Sequence, residues 1–134
     1  MLDSLKILVA DDERDMRIYL STIVETLGGI PLLAANGTEA LQKAEIEPPA
    51  LVILDIMMPN IEDGIQAYQR FKTEQKFSQI PVIVLSAIAQ KTFLHTIRIL
   101  GPQTGGPLPD PEAYVEKPPD ADELSRLILE LVTP

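Results

Sequence analysis

The sequence predicts an α/β fold, a doubly wound parallel sheet of five strands with helices on both faces. Three observations carry that prediction. Short aliphatic runs recur along the chain, each bounded by Gly, Pro, Asn or Asp and too short for a buried helix. Between them lie segments whose apolar residues repeat at helical spacing. The two kinds of segment alternate, and strand–helix alternation implies parallel neighbours joined by right-handed crossovers.

The elements follow in order. Lys6 leads into Ile7-Leu8-Val9-Ala10, a strand that ends in Asp11-Asp12. Met16, Leu20, Ile23, Val24 and Leu27 then form one stripe of a first helix, stopped by Gly28 and Gly29. Residues 30–35 read as a second strand. Asn36-Gly37-Thr38 turns the chain into a helix over 39–46, with Leu41 and Ala44 inward. Leu51-Val52-Ile53-Leu54 is wholly apolar, as a strand buried on both faces must be, and Asp55 follows it directly. Ile65, Tyr68 and Phe71 mark a third helix reaching about Glu74. Val82-Ile83-Val84-Leu85 is a fourth strand ending at Ser86, and residues 89–100 a fourth helix with Phe93, Ile97 and Leu100 on one face. Gly101 to Pro111 is a Gly- and Pro-rich loop. Residues 113–116 form a short fifth strand ending at Lys117-Pro118-Pro119. Asp120 and Glu123 have capping-box spacing before a last helix carrying Leu124, Leu127, Ile128 and Leu131.

Bulk properties narrow the function. At 134 residues the chain suits one domain, here 1–134, and the last helix leaves no room for a linker or output domain. With 4% aromatics and no Trp, the core must be aliphatic. Absence of Cys excludes disulfides and thiolate metal sites. A net charge of −9 argues against direct nucleic-acid binding, which needs Lys and Arg to meet phosphates. No apolar run approaches the roughly 18 residues of a membrane span, and the N-terminus lacks a secretory signal, so a cytoplasmic location without membrane contact is expected.

The chemistry lies at the strand ends. In a parallel sheet the C-terminal ends share one edge, where ligands bind in open α/β sheets. That edge collects Asp11 and Asp12 from the first strand, Asp55 from the third, Ser86 from the fourth and Lys117 from the fifth. Two unit charges at roughly 4 Å repel by about 4 kcal/mol at an effective dielectric near 20. A divalent cation removes that cost, and an all-oxygen ligand set points to Mg²⁺, with Mn²⁺ as the substitute. Lys117 and Ser86 add the ammonium and hydroxyl that phosphoryl oxygens need. Aspartate forms acyl phosphates, so the set predicts phosphoryl transfer onto Asp55. Taken alone, Asp11 and Asp12 read as helix caps, Ser86 as a common strand end and Tyr114 as core. His95, the only histidine, is mid-helix and receives no role.

These motifs resemble those of the receiver domains of two-component response regulators. The matching stretches are ILVADDE at 7–13, LVILDIMMP at 51–59, VLSA at 84–87 and YVEKP at 114–118, in the family's order and across nearly the whole chain. The resemblance implies a flavodoxin-like fold with strand order 2-1-3-4-5. It implies Asp55 as phosphoacceptor and Asp12 and Asp55 as direct Mg²⁺ ligands. Asp11 would act directly or through water, and the backbone carbonyl of Met57 would be a further ligand. Ser86 and Lys117 would bind phosphoryl oxygens. Tyr114 would be the switch aromatic that turns inward when Ser86 moves, and Lys117–Pro118 would be cis. A sensor histidine kinase or phosphotransfer protein would be the donor. The face made of the fourth helix, fifth strand and fifth helix would control an effector protein or output domain. Such a domain is no turnover enzyme; it catalyses only its own phosphorylation and dephosphorylation.

Two departures from the family pattern stand out. The segment from Asp55 to Gly64 is one residue longer than usual, which predicts a bulge over the pocket. The segment from Ser86 to Lys117 is longer by about a third, with the excess within residues 101–112. An insertion there would reshape the output face. Two other functions compete. A phosphatase of the haloacid-dehalogenase type shares the Asp, Mg²⁺ and Lys, but it needs a second Asp where this chain has Met57. A phosphorylation-independent scaffold would not need the complete pocket.

Overall fold

A computed structural model describes residues 1–100 and 108–132. The chain runs β1 (Lys6–Ala10), α1 (Arg14–Thr26), β2 (Ile30–Ala34), α2 (Gly37–Ile46), β3 (Leu51–Leu54), α3 (Ile61–Thr73), β4 (Val82–Ser86), α4 (Gln90–Leu100), β5 (Ala113–Glu116) and α5 (Ala121–Val132). All strand pairs are parallel, and the sheet order is β2-β1-β3-β4-β5. The expected flavodoxin-like fold and strand order are therefore present. Residues 101–107 of the expected loop lie outside the described residues.

Alternation along the strands divides the interior into two layers. Leu8, Ala10, Val52, Leu54, Val82 and Val84 face the side covered by α2, α3 and α4, where Tyr68, Phe71, Phe93 and Ile97 pack. Ile7, Val9, Leu51, Ile53, Ile83 and Leu85 face the other side, covered by α1 and α5 through Leu20, Val24, Leu124 and Ile128. Every residue of β3 is buried, in keeping with its uninterrupted apolar sequence.

Helix ends follow local chemistry, with small differences from the sequence reading. The Asn36 side chain accepts from Glu39 N at 2.8 Å, so α2 begins at Gly37, two residues earlier than the periodicity suggests. Asp120 accepts from Glu123 N at 2.8 Å, the expected cap of α5. Gly28 takes φ +87°, the left-handed conformation that closes α1. Asn60 accepts from Asp63 N at 3.0 Å and opens α3.

The loop between β3 and α3 turns one side chain inward: Met58 is fully buried in the core. Met58–Pro59 is cis, as is Lys117–Pro118, which the resemblance implied. Leu108 and the chain after it are also anchored. Leu108 is buried, and the Tyr68 hydroxyl donates to the Pro109 carbonyl. Lys72 Nζ lies 2.8 Å from both carboxylate oxygens of Glu112.

Candidate functional site

The sheet's own hydrogen bonds set the positions of the pocket residues. Asp11 N donates to Ala34 O at 3.0 Å and Asp55 N to Ala10 O at 2.9 Å, so each aspartate sits one residue past its strand. Lys117 N donates to Ser86 O at 2.8 Å, which extends the β4–β5 pairing to the same edge. A side chain at such a position leaves the apolar layers, while its backbone stays fixed by the ladder.

The carboxylates converge. Asp11, Asp12, Glu13 and Asp55 each offer an oxygen, all within 4.8 Å of one another. Asp11 and Asp55 are buried, at 0% and 2% exposure, whereas Asp12 and Glu13 are exposed. Lys117 enters this group from the end of β5. Its Nζ lies 3.1 Å from Asp55 Oδ2 and 3.0 Å from Glu13 Oε1, in hydrogen-bonding geometry. Asp11 Oδ2 is 2.9 Å from the same nitrogen, and this ion-pair contact is what the buried atom has in place of further hydrogen-bond partners. Backbone donors hold the other oxygens: Glu13 N reaches Asp11 Oδ1 at 2.9 Å and Met57 N reaches Asp55 Oδ1 at 3.0 Å. Arg17 donates to the Asp11 carbonyl at 2.7 Å.

The electrostatics follow from this crowding. Burial pushes the Asp55 carboxyl up to about 6, the neighbouring Asp11 charge adds to the rise, and Lys117 opposes it. Asp11 is raised as well, first by burial. Burial disfavours the Lys117 ammonium, but the carboxylates of Asp11, Asp55 and Glu13 outweigh it and hold the amine above its ordinary range. One ammonium thus serves several carboxylates, the fully buried Asp11 among them. An oxygen-rich, negatively charged pocket of this kind fits a hard divalent cation.

Ser86 ends β4, fully buried, and its hydroxyl oxygen accepts from Ile88 N at 3.2 Å. Tyr114 points the same way. Its hydroxyl donates to the Ile88 carbonyl and is hydrogen-bonded to Ser86, and its ring lies 5.3 Å from that of Phe93. Burial raises the Tyr114 hydroxyl to about 12, against the lowering effect of Ser86. Met57 is exposed at the mouth, placed there by its N–H bond to Asp55. His95 is exposed on α4. Asp11, Asp12, Asp55 and Lys117 therefore meet in one cluster, with Ser86 and Tyr114 joined to each other beside it. The sequence reading assigned no role to Glu13. Its place beside Asp11-Asp12 was the available signal, but a third acidic residue before a helix equally suits a first turn.

Residues 7–128 match the family model described as the response regulator receiver domain. The response regulator Rre1 of Synechocystis is 36% identical over 133 residues, covering 98% of this chain and 53% of that protein. A probable transcriptional regulator, ycf27, of Cyanophora paradoxa is 38% identical over 127 residues, covering 95% of this chain and 48% of its own length. The chain thus spans about half the length of these relatives. Among solved structures, the Francisella response regulator 1452 receiver domain superposes with a TM-score of 0.74 at 28% identity, covering 96% of this chain and 97% of that one. The receiver domain of a sensor histidine kinase from Pseudomonas aeruginosa, with a magnesium ion coordinated in its active site cleft, superposes with a TM-score of 0.76 at 23% identity, covering 96% and 98%. That degree of identity speaks to the fold alone.

Proposed function

The chain belongs to the response regulator receiver family, and on that premise we propose that Asp55 is its phosphoacceptor, loaded from a phosphohistidine of a sensor kinase or phosphotransfer protein. The observation that carries the reading is Lys117 Nζ, held 3.1 Å from Asp55 Oδ2 and 2.9 Å from Asp11 Oδ2. An ammonium there faces the place where a phosphoryl group on Asp55 would put its oxygens.

The transfer balances simply. An Asp55 carboxylate oxygen attacks phosphorus, the P–N bond to the donor imidazole breaks, and its electron pair returns to the ring nitrogen. Water later attacks the same phosphorus, the P–O bond to Asp55 breaks, and inorganic phosphate leaves with the carboxylate restored. The domain carries out these two steps on itself and turns over no other substrate.

Asp11, Asp12, Asp55 and the Met57 carbonyl are assigned to Mg²⁺, or Mn²⁺ in its place. The buried Asp11 Oδ2 without a hydrogen-bond partner and the magnesium ion of the Pseudomonas neighbour support that assignment. When bound, the cation neutralises charge on the phosphoryl oxygens and the carboxylates together. Met57 N orients Asp55 through Oδ1, and Lys117 shifts its donors to the phosphoryl group. Ser86 is the second phosphoryl contact. Reaching it takes the Ser86 hydroxyl from Ile88 N and Tyr114, so Tyr114 reports the change to α4 and β5. That surface is assigned to an effector protein or output domain of a cytoplasmic signalling pathway. Among the described residues no helix is long and apolar enough to cross a membrane.

Incubation with acetyl phosphate and Mg²⁺ tests the reading. Intact mass is expected to rise by one phosphoryl group in wild type and to stay constant in Asp55→Asn. Wild-type protein that gains no mass overturns it.

A further inference from the structure

Lys117 has three N–H donors, and their allocation is unusual. One goes to Asp55 and another to Glu13, a side chain 65% exposed that water could serve equally well. Asp11 Oδ2, fully buried 2.9 Å away, is held by its ion-pair contact with the same ammonium. Losing the ion partner of a buried carboxylate is costly, whereas an exposed ion pair contributes little. The Glu13 contact is therefore the most easily released of those that hold the ammonium.

Resting on the phosphoacceptor reading of this pocket, we propose that Glu13 is a positioning residue for Lys117, the partner that the incoming phosphoryl group displaces. Glu13 precedes the first residue of α1, and its backbone N–H is tied to Asp11 Oδ1 at 2.9 Å, so its carboxylate is delivered to the rim by a fixed backbone. In the unmodified pocket it keeps Lys117 drawn toward the rim, within reach of Asp55. A phosphoryl group on Asp55 carries negative oxygens that compete for the same donors and repel the Glu13 carboxylate. Glu13 thus opposes the phosphoryl group while adding negative charge that favours the cation. Its removal must move the two affinities in opposite directions, a signature that general loosening of the pocket does not produce.

Isothermal titration calorimetry on the full chain separates the cases. In Glu13→Gln, beryllofluoride at saturating Mg²⁺ is expected to bind roughly two- to fivefold more tightly than in wild type, the scale of an exposed ion pair. Mg²⁺ alone is expected to bind more weakly by a similar factor. Glu13→Asp, which keeps the charge, should stay nearer wild type in both titrations, and added salt should shrink the differences. Beryllofluoride affinity in Glu13→Gln that is unchanged or weaker overturns the role of Glu13 while leaving Asp55 as phosphoacceptor. Wild type that binds no beryllofluoride overturns both.

Discussion

Two lysines, Lys72 buried and Lys117 half-buried, sit at opposite ends of the sheet, and the chain treats them differently. Lys72, near the N-terminal start of β4, meets one carboxylate: both oxygens of Glu112 lie 2.8 Å from its Nζ. Glu112 Oε1 also accepts from Val82 N at 2.7 Å, and Glu112 N donates to Val82 O at 3.0 Å. Charges match one to one, and the arrangement closes on itself. Lys117, at the C-terminal edge, faces Asp11, Glu13 and Asp55 at once, one positive charge among three carboxylates. The first arrangement is complete as it stands. The second has more negative charge than its protein partners satisfy, and that excess is what a cation can offset.

Glu112→Ala strands the Lys72 ammonium, 5% exposed, and removes the acceptor of Val82 N. A loss of about 2–4 kcal/mol is expected, somewhat below the cost of breaking a fully buried pair because Glu112 keeps partial exposure. Lys72→Met should cost less, since the freed carboxylate can turn to water. Urea denaturation of both variants checks the size and the order.

At the other lysine the sign reverses. Asp55→Asn is expected to stabilise the protein in chelator by about 1–3 kcal/mol. The carboxyl is raised from 3.8 to about 6, and each unit corresponds to about 1.4 kcal/mol. Thermal unfolding in EDTA measures it, and a lower Tm for the variant would contradict the picture of an overloaded pocket.

A pH series sharpens the same point. Folding raises the Asp55 pKa, so between about pH 4 and 6 the native state binds more protons there than the unfolded chain. This contribution to stability is complete below 3.8 and is lost as the pH rises through about 6. In chelator, wild type should lose more stability than Asp55→Asn across that window. Equal slopes would refute the assignment. The smallest effect belongs to Glu13→Gln, expected to change metal-free stability by no more than about 0.5 kcal/mol, because its ion pair is largely exposed. A larger change by the same urea method would make Glu13 a structural residue.

Much of this was legible in the sequence. Strand β3 is apolar throughout because both of its faces are covered, and that pattern survives without coordinates. Parallel pairing then carries Asp11, Asp55 and Lys117 to one edge, so their meeting follows from topology more than from any single motif. The Lys72–Glu112 pair was not legible. Its partners lie 40 positions apart on a helix and a loop, and charged residues carry no periodicity that reveals a partner. Glu13 was overlooked because its position suits a helix start as well as a pocket rim.

Gly64 has a mechanical consequence. A Cβ built there would lie 1.6 Å from the carbonyl oxygen of Ile56, the residue after Asp55, so no side chain separates the first turn of α3 from the chain that leaves Asp55. Helix and loop are seated backbone against backbone, like a stave in its hoop. Any displacement of the chain beyond Asp55 must push on α3 directly. A methyl group at position 64 would act as a wedge, prising the helix away and carrying its buried Tyr68 and Phe71 with it.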